Sequence, residues 1–330
     1  MLKWRSIQVP DGPSTRSSHG VSICKQKLVV FGGEHIARKP INSDVHILDL
    51  SDINDASLSW EKVEATEANK APPPRVAHTQ SVVGNKLYIF GGRQGISMEE
   101  APLNDFYSYD METQTWEDMS GTNPTPSPRS FHKMVSVNSC LYVFGGCGAK
   151  GRLADLHCFD CNTQTWQELP MCDAISGRGG AGFIGSSDGR SLFVVGGFSG
   201  KEMNDVFKYD IESKTWATIY DAKDSPVQPF SVSCSALIGS QMIFFGGEID
   251  PSEKGHEGAG GFSNALQCFD SASGIITSMK LAPDSPVPTP RGWSDADAFE
   301  QESLVVFGGL TGDDKNPVRL NDLWILEQVV

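Results

Sequence analysis

Leu87–Gly92 has the sequence LYIFGG, a short apolar run closed by two glycines. β-Branched and aromatic residues favour strands, and a Gly-Gly pair favours a turn. The stretch therefore predicts a buried strand that ends in a turn. Similar runs end in paired glycines six times along the chain, at Gly33, Gly92, Gly146, Gly197, Gly247 and Gly309.

A second pattern follows each glycine pair and alternates side chains to two faces, as a half-buried strand does. Its six copies are Ser43–Asp49, Asn104–Asp110, Ala154–Asp160, Asn204–Asp210, Asn264–Asp270 and Asn321–Glu327. A tryptophan follows in four units, at Trp60, Trp116, Trp166 and Trp216. Ile276 takes this place in the fifth unit, and the sixth unit stops before reaching it.

A period of roughly 50–60 residues with four short strands is typical of a β-propeller blade. The Gly-Gly, Tyr/Phe-Asp and Trp pattern resembles the kelch repeat over essentially all 330 residues. The resemblance implies an all-β, six-bladed kelch propeller that forms a single domain over residues 1–330. Because Trp4 stands in LKWRSIQV near the N-terminus, we expect the N-terminal strand to complete the last blade.

Charge and cysteine content narrow the function classes. A formal net charge of −14 argues against binding to nucleic acid or to an anionic membrane surface. No stretch has the length and hydropathy of a signal peptide or a membrane span. We therefore expect a cytoplasmic or nuclear protein whose eight cysteines are reduced. Cys158–Cys161 is a lone CxxC, which predicts a strand end and a turn rather than a zinc site.

A basic residue recurs before the glycine pairs, at Arg16, Arg75, Arg129, Arg178 and Arg291, with Phe230 in its place in the fifth unit. In three units a histidine stands three residues after the arginine, at His19, His78 and His132. A residue repeated at one blade position usually answers a repeated packing need. We expect the arginines to donate hydrogen bonds to carbonyl groups between blades, and the histidines to be packing residues.

The residue after each glycine pair differs from unit to unit: Glu34, Arg93, Cys147, Phe198, Glu248 and Leu310. We call this the post-glycine position. On a propeller these residues open loops that should gather at one mouth of the central channel. Variation at a repeated position is what a shaped pocket needs, so this mouth is the predicted site.

The stretch GGEIDPSEKGH, residues 246–256, offers carboxylates and an imidazole in one loop. These groups suit a borderline divalent metal such as Fe(II). Pro251 and the glycines that follow favour a bent, irregular segment, in which Glu248 and His256 come within reach of each other. The alternative is an acidic, solvated loop.

The loop and its surroundings resemble the plant specifier proteins, that is, the nitrile-specifier, epithiospecifier and thiocyanate-forming proteins. The resemblance implies an Fe(II) loop in which Glu248 and His256 take the outer ligand places. Ser252 stands where the family has aspartate, with Asp250 or Glu253 as substitutes outside the family's register. It also implies that Arg93 holds a sulfate group and that Phe131 and Trp293 form an aromatic pocket.

Two functions from different classes follow. The resemblance implies a protein that directs the breakdown of glucosinolate aglucones toward nitriles with Fe(II), on a small sulfur-containing substrate. The alternative is a non-catalytic propeller that docks a protein partner or a small ligand at the channel mouth. Whether the chain is an enzyme stays open at this point. Ser252→Asp discriminates the two, because it should raise Fe(II) affinity only in a weakened iron site.

Overall fold

The computed structural model describes residues 1–55, 57–95, 101–121, 124–271 and 273–328. These residues form six four-stranded antiparallel sheets, which are the six predicted blades. Two further two-stranded hairpins lie in the loops of the first and fifth blades. The all-β, six-bladed architecture that the sequence predicts is confirmed.

Val9–Gly179 form one compact unit, which holds the first three blades. The first blade contains β2 (Gly20–Cys24), β3 (Lys27–Phe31), β6 (Val45–Asp49) and β7 (Trp60–Val63), with β4 (Glu34–Ile36) and β5 (Lys39–Pro40) as its hairpin. The second contains β8 (Thr79–Val83), β9 (Lys86–Gly92), β10 (Leu103–Asp110) and β11 (Thr115–Asp118). The third contains β12 (Lys133–Val137), β13 (Cys140–Gly148), β14 (Gly151–Asp160) and β15 (Thr165–Leu169).

Met1–Gln8 and Gly180–Val330 form the other compact unit, with blades four to six. The fourth blade contains β16 (Gly182–Gly185), β17 (Ser191–Phe198), β18 (Glu202–Asp210) and β19 (Thr215–Tyr220). The fifth contains β20 (Cys234–Ile238), β21 (Gln241–Phe245), β24 (Leu266–Asp270) and β25 (Ile275–Ser278). Its long loop holds β22 (Glu248–Asp250), a short 3-10 helix (Gly255–Glu257) and β23 (Gly261–Phe262). The sixth contains β26 (Asp295–Phe299), β27 (Ser303–Gly312) and β28 (Pro317–Gln328).

The N-terminal strand β1 (Leu2–Ile7) completes the sixth blade by pairing antiparallel with β28. Trp4 lies opposite Leu326, is fully buried, and packs on Phe245 with the ring centroids 4.8 Å apart. It therefore takes the role that the other tryptophans play in their own blades, and the predicted closure of the last blade is confirmed.

The glycine pairs end the buried strands in a backbone conformation that only glycine adopts easily. Gly91 and Gly92 have φ values of 61° and 97°. A Cβ atom at Gly92 would lie 2.7 Å from the carbonyl oxygen of Val76, closer than real Cβ contacts allow. The pair is therefore required by both the dihedral angle and the close approach of the neighbouring chain.

The recurring arginines are buried and structural, as predicted. Arg129 donates to the carbonyl oxygen of Gly145 at 3.0 Å and makes a two-pronged ion pair with Asp155, at 2.8 and 2.7 Å. Arg75 with Asp105 and Arg291 with Asp322 repeat this arrangement. A planar guanidinium matches a carboxylate in this way, so each pair ties the strand entering a blade to its third strand.

The fifth blade replaces both members of this ion pair. Phe230 stands in place of the arginine and Ala265 in place of the aspartate, and Phe230 packs on Phe244 with ring centroids 5.9 Å apart. Both residues line a small pocket in the same blade. The change is therefore a matched one, from a buried ion pair to an apolar contact.

The recurring histidines are buried packing residues. Burial lowers the pKa of His78 to about 3 and holds that of His132 well below its ordinary value. Their rings stand edge-on to Phe31 and Phe90, with centroids 5.5 and 5.4 Å apart. At neutral pH both imidazoles are uncharged, so the predicted packing role is confirmed.

The cysteines are all free thiols. Cys158 lies in β14 and Cys161 in the turn that follows, as the strand-end prediction requires. Among the residues that the structure describes, no helix has the length and apolar character to cross a membrane.

Candidate functional site

The post-glycine residues occupy equivalent places in five blades. Each makes an isolated antiparallel bridge with the residue that follows the recurring arginine or its phenylalanine replacement. The bridges join Ser17 to Glu34, Val76 to Arg93, Ser130 to Cys147, Ser231 to Glu248, and Gly292 to Leu310. The repeat therefore fixes their backbones in the same way, while their side chains supply different chemistry.

A second variable position directly follows the bridge partner, two residues after the recurring arginine. We call it the left-handed position. Phe131 and Trp293 occupy it with φ values of 56° and 57°, in a region that side chains other than glycine rarely adopt. The N–H of Phe131 donates to the carbonyl oxygen of Ala77, and that of Trp293 to Val232, both at 2.9 Å. The two predicted aromatic pocket residues thus have the same backbone conformation and the same hydrogen bond to the preceding blade.

Arg93 and Phe131 lie together in the unit that holds the first three blades. The Nε–H of Arg93 donates to the hydroxyl of Ser130 at 3.1 Å, and Ser130 directly precedes Phe131 in the chain. This hydrogen bond fixes the guanidinium on the residue that precedes Phe131. The structure therefore ties the predicted cation to the segment that carries one of the two predicted aromatic residues.

Cys147 and Arg152 extend this group. Arg152 lies opposite Cys147 across the β13–β14 hairpin. Burial raises the pKa of the Cys147 thiol, and the positive charges of Arg152 and Arg93 oppose that rise. A Cβ atom on Gly179 would lie 3.2 Å from the Cys147 sulfur and 3.3 Å from the Phe131 Cβ. Ser130, which accepts from Arg93, lies opposite Cys147, and Cys147 lies opposite Arg152, so the two arginines, the thiol and the residue before Phe131 follow one another across the paired strands at this end of the third blade.

Glu248 closes the loop of the fifth blade, in the other unit. Its carboxylate accepts hydrogen bonds from the backbone N–H groups of Ser252 and Gly260. The ends of the loop pair as strands, since Glu248 lies opposite Phe262 and Asp250 opposite Gly261. Between these arms, residues 251–260 contain only a short 3-10 helix, so the bent, irregular segment that the sequence predicted is confirmed there, and the buried carboxylate gathers amides from both arms.

The electrostatics of Glu248 are those of a desolvated carboxylate. Burial raises its pKa to about 7, the amides of Ser252 and Gly260 and the imidazole of His256 oppose the rise, and the negative charge of Asp314 adds to it. Glu34, the post-glycine residue of the first blade, also accepts from the backbone N–H four residues later, that of Arg38 at 2.6 Å. Capping the following loop is thus a role that a glutamate takes at this position in both units.

Ser252 contacts an aspartate from the sixth blade. Its hydroxyl donates to the carboxylate of Asp314, and Lys254 Nζ donates to the Asp314 carbonyl oxygen at 2.5 Å. Asp314 lies in the turn between β27 and β28. The alternatives that the sequence offered for the missing aspartate, Asp250 and Glu253, are both exposed.

His256 and Trp293 are also brought together. Their ring centroids are 4.8 Å apart with an interplanar angle of 75°, an edge-to-face contact. His256 lies in the short 3-10 helix of the loop and Trp293 at the left-handed position of the sixth blade. This unit therefore gathers Glu248, His256 and Trp293, three of the five predicted site residues.

Glu202 is a site residue that the sequence reasoning missed. It lies opposite Phe198, the post-glycine residue of the fourth blade, and is 9% exposed. Burial raises its pKa to about 8, the Ser231 hydroxyl opposes the rise, and the charge of Glu248 adds to it. Neither carboxylate oxygen has a hydrogen-bond partner among the described residues.

The signal that would have found the missed residues is the strand pairing itself. Arg152 and Glu202 each lie opposite a post-glycine residue, and each stands three residues before the first aspartate of the second pattern, Asp155 or Asp205. Following the hairpin from the post-glycine position leads directly to them. Asp314, in contrast, lies in a turn with no repeat pattern and carries no such signal.

The fit of the loop to Fe(II) depends on its donor groups. No group of three or more His, Cys, Asp or Glu side chains within the described ranges is placed to hold a metal ion. The donor chemistry still suits a divalent cation, because Glu202 presents two buried, unpartnered carboxylate oxygens near Glu248. A cation bound beside Glu202 would interact with two carboxylate oxygens that make no hydrogen bond to the described residues.

Comparison with known proteins decides the family. The KLHDC2/KLHL20/DRC7 Kelch-repeats domain matches residues 18–247. The chain belongs to the kelch-repeat family. A solved structure titled "Structure of YjhT" covers 96% of this kelch chain and 95% of its own, with a TM-score of 0.72 and 17% identity, which shows the fold alone.

The relatives of this kelch chain differ in how much of their own length matches it. The N-(sulfonatooxy)prop-2-enimidothioate sulfolyase of Thlaspi arvense is 27% identical over 93% of this chain and 92% of its own length. The leucine-zipper-like transcriptional regulator 1 homolog and the host cell factor of Drosophila melanogaster are each 26% identical, over 94% and 99% of this chain. The matches cover only 30% and 23% of those two proteins, so this chain corresponds to less than a third of their length.

Proposed function

We propose that this kelch chain is a specifier-type protein. It binds a small O-sulfated thiohydroximate, the class released from glucosinolates, and directs its breakdown toward the nitrile with Fe(II). The observation that carries the proposal is the strand pairing that sets Arg93, through its hydrogen bond to Ser130, and Arg152 on either side of Cys147, next to Phe131 in the chain. The similarity to the Thlaspi sulfolyase, which runs over nearly the whole length of both chains, supports the same substrate class.

The cation pair explains why the ligand is a small anion. The chain carries a formal charge of −14, so its average field repels anions. Two guanidinium groups acting on one point reverse that field locally and can hold a sulfate by charge-assisted hydrogen bonds. Phe131 adds an apolar wall for the organic side chain. An organic sulfate with a short side chain matches both features.

The loop of the fifth blade supplies the metal part of the proposal. Glu248 and His256 would hold Fe(II), which serves as a Lewis acid for the substrate sulfur when bound. Trp293, in edge contact with His256, orients the imidazole and limits water around it. The reaction balances without a further reactant, because the substrate dianion yields a nitrile, elemental sulfur and a sulfate dianion.

Direct binding of an organic sulfate tests the substrate half. Allyl sulfate is titrated calorimetrically into the wild type, Arg93→Gln, Arg152→Gln and Lys150→Gln. Lys150 is an exposed cation in the turn of the β13–β14 hairpin, and Arg152 follows in β14. Lys150→Gln therefore changes the net charge of the same hairpin by the same amount. We expect each arginine variant to weaken binding at least tenfold and the lysine variant to bind like the wild type. Equal binding by all four proteins would contradict the proposal.

A protein-docking function is the second candidate. The β4–β5 hairpin carries Ile36, which is 59% exposed and is one of the large exposed apolar side chains. The longer kelch relatives, among them the host cell factor of Drosophila melanogaster, are consistent with a protein partner. This candidate predicts that Ile36→Glu abolishes retention of a partner protein, while allyl sulfate binds neither the wild type nor the variant.

The expected location is the cytoplasm or the nucleus, where a reducing environment keeps thiols free. The eight free cysteines support it. Cys140 and Cys158 interact with each other, so in an oxidising compartment these two thiols would be able to form a disulfide. Mass-spectrometric thiol counting on protein isolated from its source checks the expectation, and disulfide-linked cysteines would contradict it.

A further inference from the structure

Glu202 and Glu248 are placed on the two sides of Ser231 by backbone pairing. Met203 bridges to Phe230, which puts the preceding residue, Glu202, beside Ser231. Ser231 in turn bridges to Glu248, with N–H to carbonyl distances of 2.9 and 2.8 Å. The two glutamates therefore come from neighbouring blades and flank the same residue, Ser231.

The Ser231 hydroxyl is the protein group that acts most directly on Glu202, but it does not satisfy the carboxyl oxygens of this buried side chain. It is about nine-tenths buried, yet neither of its oxygens has a hydrogen-bond partner among the described residues. Elsewhere the protein satisfies its buried carboxylates, with arginine at Asp155 and with serine hydroxyls and an amide at Glu34. A buried carboxyl group that makes no hydrogen bond costs free energy, so its place here indicates a ligand that the chain does not itself supply.

We propose that Glu202 and Glu248 form a divalent-cation site between the fourth and fifth blades, in which Glu202 is the ligand that the loop sequence lacks. Two carboxylates and the Ser231 hydroxyl are the hard oxygen donors that such ions accept. This inference deepens the proposed function, since the Fe(II) that the function requires is bound at this site. Ser252 then has no ligand role.

The surroundings agree with this assignment. The charged groups that act on Glu248 are His256 and Asp314, and those that act on Glu202 include Glu248. Of these groups, Glu248 and Asp314 are acidic and only His256 is basic, so the surroundings of the site favour a cation.

Anaerobic titration with FeCl₂, followed by calorimetry, and with MnCl₂, followed by the EPR signal of free Mn(II), tests the site without any activity readout. The proteins are the wild type, Glu202→Gln, Glu248→Gln and Glu212→Gln. Glu212 is an exposed carboxylate of the same blade as Glu202 and controls for net charge. We expect one ion per wild-type chain, at least tenfold weaker binding in the Glu202 and Glu248 variants, and no change in the Glu212 variant.

Thermal unfolding separates a lost ligand from a lost fold. Glu202→Gln replaces a buried carboxyl group, which is costly to ionise, by a neutral amide of similar shape, so the metal-free variant should melt at or above the wild-type temperature. Divalent metal should raise the melting temperature of the wild type and of Glu212→Gln, but not of Glu202→Gln. A cooperative transition in the Glu202 variant shows that its weaker binding is not due to misfolding.

Two outcomes overturn the inference. If Glu202→Gln binds metal as tightly as the wild type while Glu248→Gln does not, Glu202 is no ligand and the loop alone holds the ion. If the wild type binds neither ion, both the site and the Fe(II) part of the proposed function fall. Allyl sulfate binding at Arg93 is measured separately, so failure of the metal site and failure of the substrate assignment are distinguishable.

Discussion

The hydroxyl of Ser252 donates a hydrogen bond to the carboxylate of Asp314, which stands 62 residues further along the chain. The two residues belong to loops of the fifth and sixth blades. Ser252 occupies the place where the specifier-protein loop has an aspartate, so a carboxylate does reach this place, but from another blade. The contact ties the two loops together and changes what a substitution at Ser252 would do.

Ser252→Asp should lower the stability of the metal-free protein. The new carboxylate would lie against Asp314, and two like charges at contact distance repel by on the order of 1 kcal/mol or more. The double variant Ser252→Asp/Asp314→Ser should recover the loss because it only exchanges the partners. Thermal unfolding of the three proteins checks this order. Equal melting temperatures for the single variant and the wild type would contradict the contact.

Fe(II) affinity of the same variants is a second test of this loop. A carboxylate at position 252 adds an oxygen donor near Glu248, so Ser252→Asp should bind Fe(II) more tightly than the wild type. Bound metal should also reduce the repulsion from Asp314, so the stability difference between the variant and the wild type should shrink when metal is added. Calorimetric affinities unchanged by the substitution would indicate that the ion does not bind near Ser252.

Asp155→Asn should destabilise the third blade by about 3–5 kcal/mol, because it leaves the buried Arg129 guanidinium without its counter-charge. Asp173→Asn, at an exposed position of the same unit, is the matched control. Urea unfolding at pH 7 measures both. A loss no larger than that of the control would show that Arg129 is satisfied by carbonyl groups alone.

The same ion pair predicts that the protein loses stability at acidic pH. Burial by itself would raise the pKa of Asp155, but hydrogen bonds from His157 and Arg129 outweigh it and hold the pKa well below its ordinary value. The contribution is therefore complete above the unfolded-state pKa, about 3.9, and is lost as the pH falls toward the folded-state pKa. The urea midpoints of the wild type and Asp155→Asn should converge below pH 4. A difference that stays constant down to pH 2 would contradict this.

Phe230→Arg should be strongly destabilising alone and much less so when combined with Ala265→Asp. Alone it buries a cation without a partner, whereas the pair restores the ion pair found in the second, third and sixth blades. A double-mutant cycle by urea unfolding gives the coupling. Additive effects would mean that the fifth blade has lost the geometry of that pair.

Phe131→Gly separates backbone strain from ligand contact. Glycine relieves the left-handed conformation, which costs a bulky residue roughly 1–3 kcal/mol, so stability should change little despite the lost ring. Allyl sulfate affinity should fall several-fold because the apolar wall is gone. Ala77→Gly, at the same position of the second blade with φ 51°, should gain stability and keep its affinity. Unchanged affinity in Phe131→Gly would remove Phe131 from the site.

The repeat made most of the fold predictable. Paired glycines, alternating strands and spaced tryptophans each report a local requirement, and six copies fix the blade boundaries. The structural role of Arg129 followed for the same reason, since its carbonyl and aspartate partners recur with it. The replacement of Arg by Phe230 was visible, but its matched change at Ala265 needed the pairing of distant strands to be seen.

The candidate site was less predictable because its contacts run between blades. Glu248 and His256 were visible as a loop motif, whereas the Ser252–Asp314 contact joins two loops that share no pattern. Glu202 was hidden in a strand, and only its place opposite Phe198 and its unpartnered oxygens mark it. Residues that repeat indicate the scaffold. Residues that break the repeat indicate a functional site only when the pairing of the strands is known.

The product formed from an allyl glucosinolate tests the central claim most directly. The purified protein is added, with Fe(II) under anaerobic conditions, to a thioglucosidase that hydrolyses the glucosinolate, and the nitrile and isothiocyanate are quantified. The account predicts that the wild type shifts the products toward the nitrile and that Arg93→Gln loses most of this shift while Lys150→Gln keeps it. A product ratio identical to that of the thioglucosidase alone, with folded and metal-loaded wild-type protein present, would contradict the account.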